Sequence, residues 1–129
     1  MTVIITGRME DPRLCYLLDQ QSVCAADCFT LARQHPMTRF LLSGFYGGEL
    51  SGHGPVPENL WTDTSGLCHG LHPVQTLIEA GFPADKILFG SLSPLQCLHS
   101  HLLNLPECLK TDILSTNPKR FLEENYDGL

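Results

Sequence analysis

Four short apolar segments, each followed directly by glycine or small polar residues, constrain the fold of this chain more than any other feature. They cover residues 3–5, 38–43, 86–89 and 112–115. None shows the alternation of a half-exposed strand, so each is predicted to be a β-strand that is buried on both faces. Such strands are typical of a parallel sheet that helices cover.

Helical patterns separate these segments. Cys24, Cys28 and Leu31 recur at helical spacing after the capping residue Ser22, and further helices are predicted over residues 73–81, 94–103 and 118–125. The alternation of strands and helices predicts an α/β fold. We expect one three-layer Rossmann-like domain over residues 1–129, with a short, mostly parallel sheet of about four strands and right-handed crossovers.

Composition narrows the class of protein. With 129 residues, 43% of them hydrophobic and 17% charged, the chain has the size and make-up of one globular domain. Its net charge of −6 argues against a duplex nucleic acid as partner, because basic side chains supply most of that affinity. No apolar run is long enough to span a bilayer, and the first six residues lack the features of a signal peptide. These features predict a cytoplasmic protein without a membrane partner, in which the six cysteines stay reduced.

The stretch RFLLSGFYGGELSGHG, residues 39–54, joins a predicted strand to a segment rich in glycine. The whole of residues 45–71 shows no periodicity and is predicted to be a functional loop. In parallel sheets ligands bind beyond the carboxyl ends of the strands, where glycine lets backbone N–H groups approach them. The predicted pocket for a small polar or nucleotide-like ligand, with Arg8 as an anion partner, is lined by Gly7, Arg8, Ser43, Gly44, Gly47, Gly48 and Ser91.

Glu49 and His53 lie four residues apart in that loop and are the candidate acid–base pair. A histidine titrates near neutral pH, and a carboxylate can orient its ring. The alternative is a solvated loop with two ordinary polar side chains. Trp61 is interpreted either as a lid over a ligand or as an anchor for a protein partner.

Other reactive residues do not form a recognisable motif. The tight Cys-x-x-Cys pairs of zinc sites are missing, so no metal is predicted for the cysteine and histidine residues at positions 68, 69, 72, 97, 99 and 101. The sequence identifies no cofactor. Ser43, Ser91 and Ser93 lack a Gly-x-Ser-x-Gly context and are interpreted as hydroxyl groups at strand ends and helix caps.

The order of these pieces resembles the YdcF-like family, which includes the SanA and ElyC envelope proteins. The similarity rests on Leu41-Leu42-Ser43-Gly44, on the run from Glu79 to Ile87, and loosely on Ser91-Leu92-Ser93-Pro94. It covers about residues 2–122. The family tends to have Thr-x-x-Asn where this chain has Pro94-Leu95-Gln96-Cys97. The resemblance implies a three-layer Rossmann-like fold and, as suggested for some members, a nucleotide-like or adenosyl ligand.

Two functional interpretations follow. The first is a small-molecule-binding α/β domain, with catalysis by Glu49 and His53 as an extension of it. The second is a non-catalytic interaction module that offers the segment 45–71 to a protein partner or to another copy of the chain.

Overall fold

The computed structural model describes residues 1–7, 23–93 and 96–126. Its strands are β1 (Thr2–Thr6), β2 (Arg39–Ser43), β3 (Leu60–Asp63) and β4 (Ile87–Leu88). Its α-helices are α1 (Ala25–Gln34), α2 (Gly47–Leu50), α3 (Pro73–Glu79), α4 (Leu98–Leu103) and α5 (Asn117–Tyr126). Shorter helical turns cover Thr64–Gly66, Ala84–Lys86, Glu107–Leu109 and Asp112–Thr116.

The four strands form one parallel sheet in the order β1-β2-β3-β4. Val3 pairs with Phe40, Phe40 with Leu60, and Thr62 with Ile87. The predicted α/β class and the parallel sheet of four strands are therefore confirmed. The order of these four strands does not reverse, so the described part of the sheet has no topological switch point, and the Rossmann-like part of the prediction is not confirmed.

Two sequence-based assignments were wrong. The predicted loop 45–71 contains helix α2 and strand β3, whose residues Leu60, Trp61 and Thr62 are fully buried between β2 and β4. The predicted strand 112–115 is instead a helical turn that leads into α5. Ile113 alone is buried in that turn, and one inward side chain per turn suits a helix better than a strand in a covered sheet.

Most helix predictions hold, with shifted ends. Helices α1, α3 and α5 lie where periodicity predicted them, although Ser22, the expected cap of α1, is outside the described residues and Cys24 occupies the cap position. Helix α4 begins at Leu98, later than predicted. Residues 94 and 95 are likewise outside the described part of the chain.

Hydrophobic residues pack on both faces of the sheet. The main core lies on one face and includes Phe29 of α1, Leu42 of β2 and Leu77 of α3. A smaller cluster lies on the other face, where Phe121 of α5 packs on Trp61 and Leu88. Helix α5 therefore supplies a third layer, as the sequence analysis predicted.

Candidate functional site

The carboxyl ends of the strands are joined by a hydrogen-bond network around Asp63, the last residue of β3. Its Oδ2 accepts a hydrogen bond from Ser43 Oγ at 2.7 Å, and its Oδ1 accepts from the amide of Ser65 at 3.0 Å and from the Ser65 hydroxyl. Ser65 Oγ in turn accepts from the Gly44 amide at 2.8 Å. Asp63 is half-buried, and its carboxylate accepts from several donors, so this network ties the ends of β2 and β3 together.

A second pair of hydrogen bonds joins the end of β3 to the end of β4. The Gly90 amide donates to Thr64 Oγ1 at 3.0 Å, and the Thr64 hydroxyl donates to the Gly90 carbonyl at 2.8 Å. Gly90 lies so close to Asp63 that a Cβ there would be 2.8 Å from the carboxyl carbon. Three strand ends therefore share one tightly connected edge.

Phe45 fills the space in which the sequence analysis placed the pocket. Its ring is buried and would lie 3.0 Å from a Cβ on Gly7, and its carbonyl oxygen would lie 2.1 Å from a Cβ on Gly66. The Gly7 amide donates to Ser43 O at 2.9 Å. Gly7, Ser43 and Gly44 are thus brought together as predicted, but by packing and hydrogen bonds between the strand ends.

A cavity of about 260 Å³ opens beside this edge, between α2 and α3. Gly47 and Gly48, two of the predicted pocket residues, form part of its wall. The remaining lining residues directly flank α2, belong to residues 66–71, or belong to α3 and the residue that ends it, namely Tyr46, Ser51, Gly66, Leu67, His69, Gly70, Leu71, Pro73, Thr76, Leu77 and Ala80. The glycine-rich segment therefore does border a cavity. Its residues at the cavity follow the end of β2 in the chain and do not include the strand end itself.

The cavity wall combines an aromatic pair with apolar side chains. The rings of Tyr46 and His69 meet edge to face with their centroids 5.0 Å apart. Leu67 and Leu77 are buried behind them. Among the described residues that line the cavity, none is lysine or arginine. Such a wall suits a small ring compound with a few polar groups better than a multiply charged one.

Two left-handed residues shape the segments next to the cavity and the strand edge. His72, directly before α3, has φ of 53°, and Leu92, after β4, has φ of 51°. A non-glycine side chain in this conformation costs free energy, which the surrounding packing must offset. His72 places the start of α3 beside Leu71, which is part of the cavity wall.

The remaining predicted pocket residues lie elsewhere. Ser91 Oγ accepts a hydrogen bond from the Ser93 amide at 3.2 Å, a local turn after β4. Arg8, the predicted anion partner, lies outside the described residues.

Glu49 and His53 are neighbours, but the contact involves the backbone. Glu49 Oε2 accepts from the Tyr46 amide at 2.8 Å and caps helix α2, whereas His53 Nε2 lies 2.6 Å from the backbone oxygen of Glu49. The His53 ring packs on Phe29 at 4.7 Å, and Arg33 donates to the His53 carbonyl. These contacts hold the segment after α2 against α1. An acid–base role for the pair stays a prediction.

Trp61 is fully buried in β3, so its interpretation as a lid or as a partner anchor was wrong. Within residues 1–7, 23–93 and 96–126 no group of histidine, cysteine and acidic residues is placed to hold a metal ion. His101 is buried and its Nε2 lies 2.6 Å from Gln96 Oε1.

Asp63, Ser65 and Tyr46 were not among the predicted site residues, and His69 was considered only as a metal ligand. The short run Leu60-Trp61-Thr62, followed by Asp63-Thr64-Ser65, carries the same strand-then-polar signal as the other strand ends. This signal was hidden within a segment interpreted as one loop. Nothing in the local pattern around Tyr46 and His69 indicates that the two rings meet.

The solved structures that are similar to this fold include two of 2,6-dihydroxybenzoate decarboxylases. A 2,6-dihydroxybenzoate decarboxylase from Rhizobium is 20% identical, with a TM-score of 0.58, over 96% of this chain and 51% of that one. A 2,6-dihydroxybenzoate decarboxylase complexed with 2,6-dihydroxybenzoate is 19% identical, with a TM-score of 0.59 and the same coverage. The chain thus spans about half the length of these structures, and at such identities the likeness shows the fold alone.

These neighbours are TIM-barrel-like enzymes, a fold in which parallel strands also follow one another in chain order. No protein-family model matches the chain, and no curated protein sequence matches it significantly. The resemblance to the YdcF-like family therefore stays a prediction. Within the part of the chain that the structure describes, no helix is long and apolar enough to cross a membrane.

Proposed function

We propose that this protein binds a small polar ring compound in the cavity between α2 and α3. The observation that carries the proposal is the cavity itself, of about 260 Å³, with the Tyr46–His69 pair and Gly48 in its wall. Ligand sites in parallel α/β folds lie at the carboxyl end of the sheet, and this cavity adjoins that end.

The size and charge of the cavity narrow the class of ligand. A volume just below the usual range for ligand pockets accommodates one or two fused rings rather than a dinucleotide. Because the described lining residues include no lysine or arginine, a phosphate group would find few charged partners there. The ligand is therefore expected to be a base, a nucleoside or an aromatic acid of modest charge.

The structural neighbours and the YdcF-like resemblance suggest different ligands, and the three compounds named below can be compared in one experiment. One structural neighbour holds 2,6-dihydroxybenzoate, and the YdcF-like resemblance suggests adenosyl compounds. Isothermal titration with 2,6-dihydroxybenzoate, adenosine and AMP tests all three. We expect saturable binding of at least one compound, and weaker binding of AMP than of adenosine.

A substitution at Gly48 tests whether the ligand binds in this cavity. A Cβ on Gly48 would meet no atom within 4 Å, so Gly48→Leu adds bulk beside the cavity without a clash at its first carbon. We expect this variant to lose binding. Ala26→Leu, which adds a leucine at an exposed position of α1, is the matched control and should bind like the wild type. Absence of binding by all three compounds, or equal affinity in the Gly48→Leu variant, would contradict the proposal.

A further inference from the structure

A cluster of cationic side chains surrounds the single tryptophan at the amino ends of β3 and β4, on the edge of the sheet opposite the α2–α3 cavity. Lys86 Nζ lies 4.5 Å from the centroid of the Trp61 ring, and Arg120 Cζ lies 5.6 Å from it. Arg39 Cζ lies 5.3 Å from the ring of Phe121, which packs edge to face on Trp61. Three of the chain's eight lysine and arginine residues are thus gathered around one aromatic pair in a protein of net charge −6.

Two buried N–H groups in this cluster have no hydrogen-bond acceptor among the residues that the structure describes. They are Nε1 of Trp61 and Nε of Arg120, and the two side chains lie against each other. A buried donor without an acceptor costs free energy, and such donors are rare in folded proteins unless a water or an ion satisfies them. Because both donors belong to side chains that touch each other, they indicate that an acceptor is missing where the two side chains meet.

Lys86 adds a poorly paired charge to the same place. Its side chain is only 12% exposed, yet the carboxylate with which it pairs, that of Glu58, is fully exposed and 3.9 Å away. That distance is too long for a hydrogen bond, and water screens the fully exposed carboxylate of Glu58, so the pairing contributes little. Arg120 has a better partner in Asp85, whose Oδ2 lies 3.0 Å from its Nη2. Within the described ranges, the positive charge of Lys86 is therefore only weakly compensated.

From this arrangement we propose a binding site for a small oxyanion, such as a phosphate group, between the side chains of Lys86 and Arg120. The oxyanion accepts hydrogen bonds from the indole Nε1 of Trp61 and from Nε of Arg120, and its charge pairs with the ammonium group of Lys86. The side chain of Arg120 is 40% exposed, so it can move to admit the ion. The site lies at the amino ends of β3 and β4, on the edge opposite the α2–α3 cavity, and does not depend on the function proposed for that cavity.

Trp61 makes the site directly observable, because it is the only tryptophan in the chain. Its fluorescence is measured while inorganic phosphate is added at constant ionic strength, with chloride replacing phosphate in a parallel titration. We expect a saturable change in Trp61 emission with phosphate and none with chloride. Ribose 5-phosphate, titrated in the same way, shows whether a phosphate group on a larger molecule binds more tightly than the free ion. The proposal is supported whichever of the two, free phosphate or ribose 5-phosphate, binds more tightly.

Single substitutions show which side chains bind the phosphate. Lys86→Gln and Arg120→Gln are each expected to weaken phosphate binding at least about tenfold, as the loss of one charge-assisted contact predicts. Lys110→Gln removes a surface lysine that pairs with Glu107 at 2.9 Å, and it should leave the affinity unchanged. A Trp61→Phe variant, followed by the phosphate-dependent rise in melting temperature, removes the indole donor and should show a smaller rise than the wild type.

The proposal is overturned by any of three results. These are a phosphate titration without saturation, an equal response to chloride, and unchanged phosphate affinity in both the Lys86→Gln and the Arg120→Gln variants. The first of them would mean that water alone satisfies the two buried donors.

Discussion

Gly66 and Gly48 show how differently two glycines in one segment constrain the backbone. A Cβ on Gly66 would lie 2.1 Å from the carbonyl oxygen of Phe45, so the two backbones touch, whereas a Cβ on Gly48 would meet nothing within 4 Å. Only the first glycine is required by close packing. The glycine-rich composition of the segment therefore has more than one cause.

This contrast predicts opposite effects on stability. We expect Gly66→Ala to lower the free energy of unfolding by about 3 kcal/mol, because backbone atoms must move to admit the methyl group. Gly48→Ala should change it by no more than about 1 kcal/mol, and toward greater stability, because alanine favours helix α2. Urea unfolding of both variants measures the difference, and equal stabilities would show that the backbone at Gly66 moves freely.

Cysteine reactivity is also decided residue by residue. The backbone N–H groups of Ser100 and His99 lower the pKa of the exposed Cys97 thiol, whereas burial, followed by the charge of Asp27, raises the pKa of Cys28. A lower pKa leaves more reactive thiolate at neutral pH, and a higher one leaves less.

Among the cysteines that the structure describes, we therefore expect iodoacetamide at pH 7 to alkylate Cys97 before the exposed Cys24 and Cys108, and Cys28 last. Peptide mass spectrometry at successive times measures this order. The advantage of Cys97 should disappear above the ordinary range of thiol pKa values, where all exposed thiols are ionised. A rate for Cys97 equal to that of Cys108 at pH 7 would contradict the assignment.

At the level of elements, Asn117 attaches helix α5 to the sheet. Its Nδ2 donates to the carbonyl oxygens of Ala84 and Ile87, each at 2.9 Å, and the residue is buried. Both acceptors belong to the chain around the start of β4. The helix is thus fixed at its first residue to the strand that it covers.

Replacement of Asn117 by alanine leaves these two carbonyl groups without that donor. We expect Asn117→Ala to lower the free energy of unfolding by about 2 kcal/mol. Hydrogen exchange should show faster opening of α5 while β1 and β2 remain protected. Thr116→Ala, an exposed neighbour, serves as the control and should change stability by less than about 0.5 kcal/mol. Uniformly faster exchange across the sheet would show that α5 does not open separately.

At the level of the whole molecule, the two hydrophobic clusters share the strands of one sheet. Leu60 and Trp61 are adjacent in β3 and point to opposite faces, one into each cluster. Loss of either cluster therefore exposes one face of the same strands. The domain is expected to unfold as one cooperative unit.

Phe121→Ala tests this coupling. Removing a ring that is only 8% exposed should lower the free energy of unfolding by about 3 kcal/mol or more. The transitions followed by Trp61 fluorescence and by far-UV circular dichroism should still coincide. Leu122→Ala, at a neighbouring side chain that is 58% exposed, should have little effect. Separate transitions in the Phe121→Ala variant would mean that the two faces unfold independently.

Much of this architecture could be predicted because its signals are local. The runs that became β1, β2 and β4 are apolar and end in glycine or serine, and the stripes of α1, α3 and α5 repeat at helical spacing. These patterns were sufficient to predict the α/β class, the parallel sheet and a polar edge at the carboxyl ends of the strands. They depend on neighbouring residues in the chain, which a single sequence displays directly.

The tertiary structure decided the rest, because the deciding contacts join residues far apart in sequence. Strand β3 carries the same local signal as the other strands, but it lies within a glycine-rich segment, and its pairing with β2 and β4 is what shows that it belongs to the sheet. Residues 112–115 have the composition of a strand but are helical, and none of the four described strands pairs with them. The cavity likewise depends on how α2 packs against α3, and the cation cluster on how α5 crosses the sheet to bring Arg120 to Trp61.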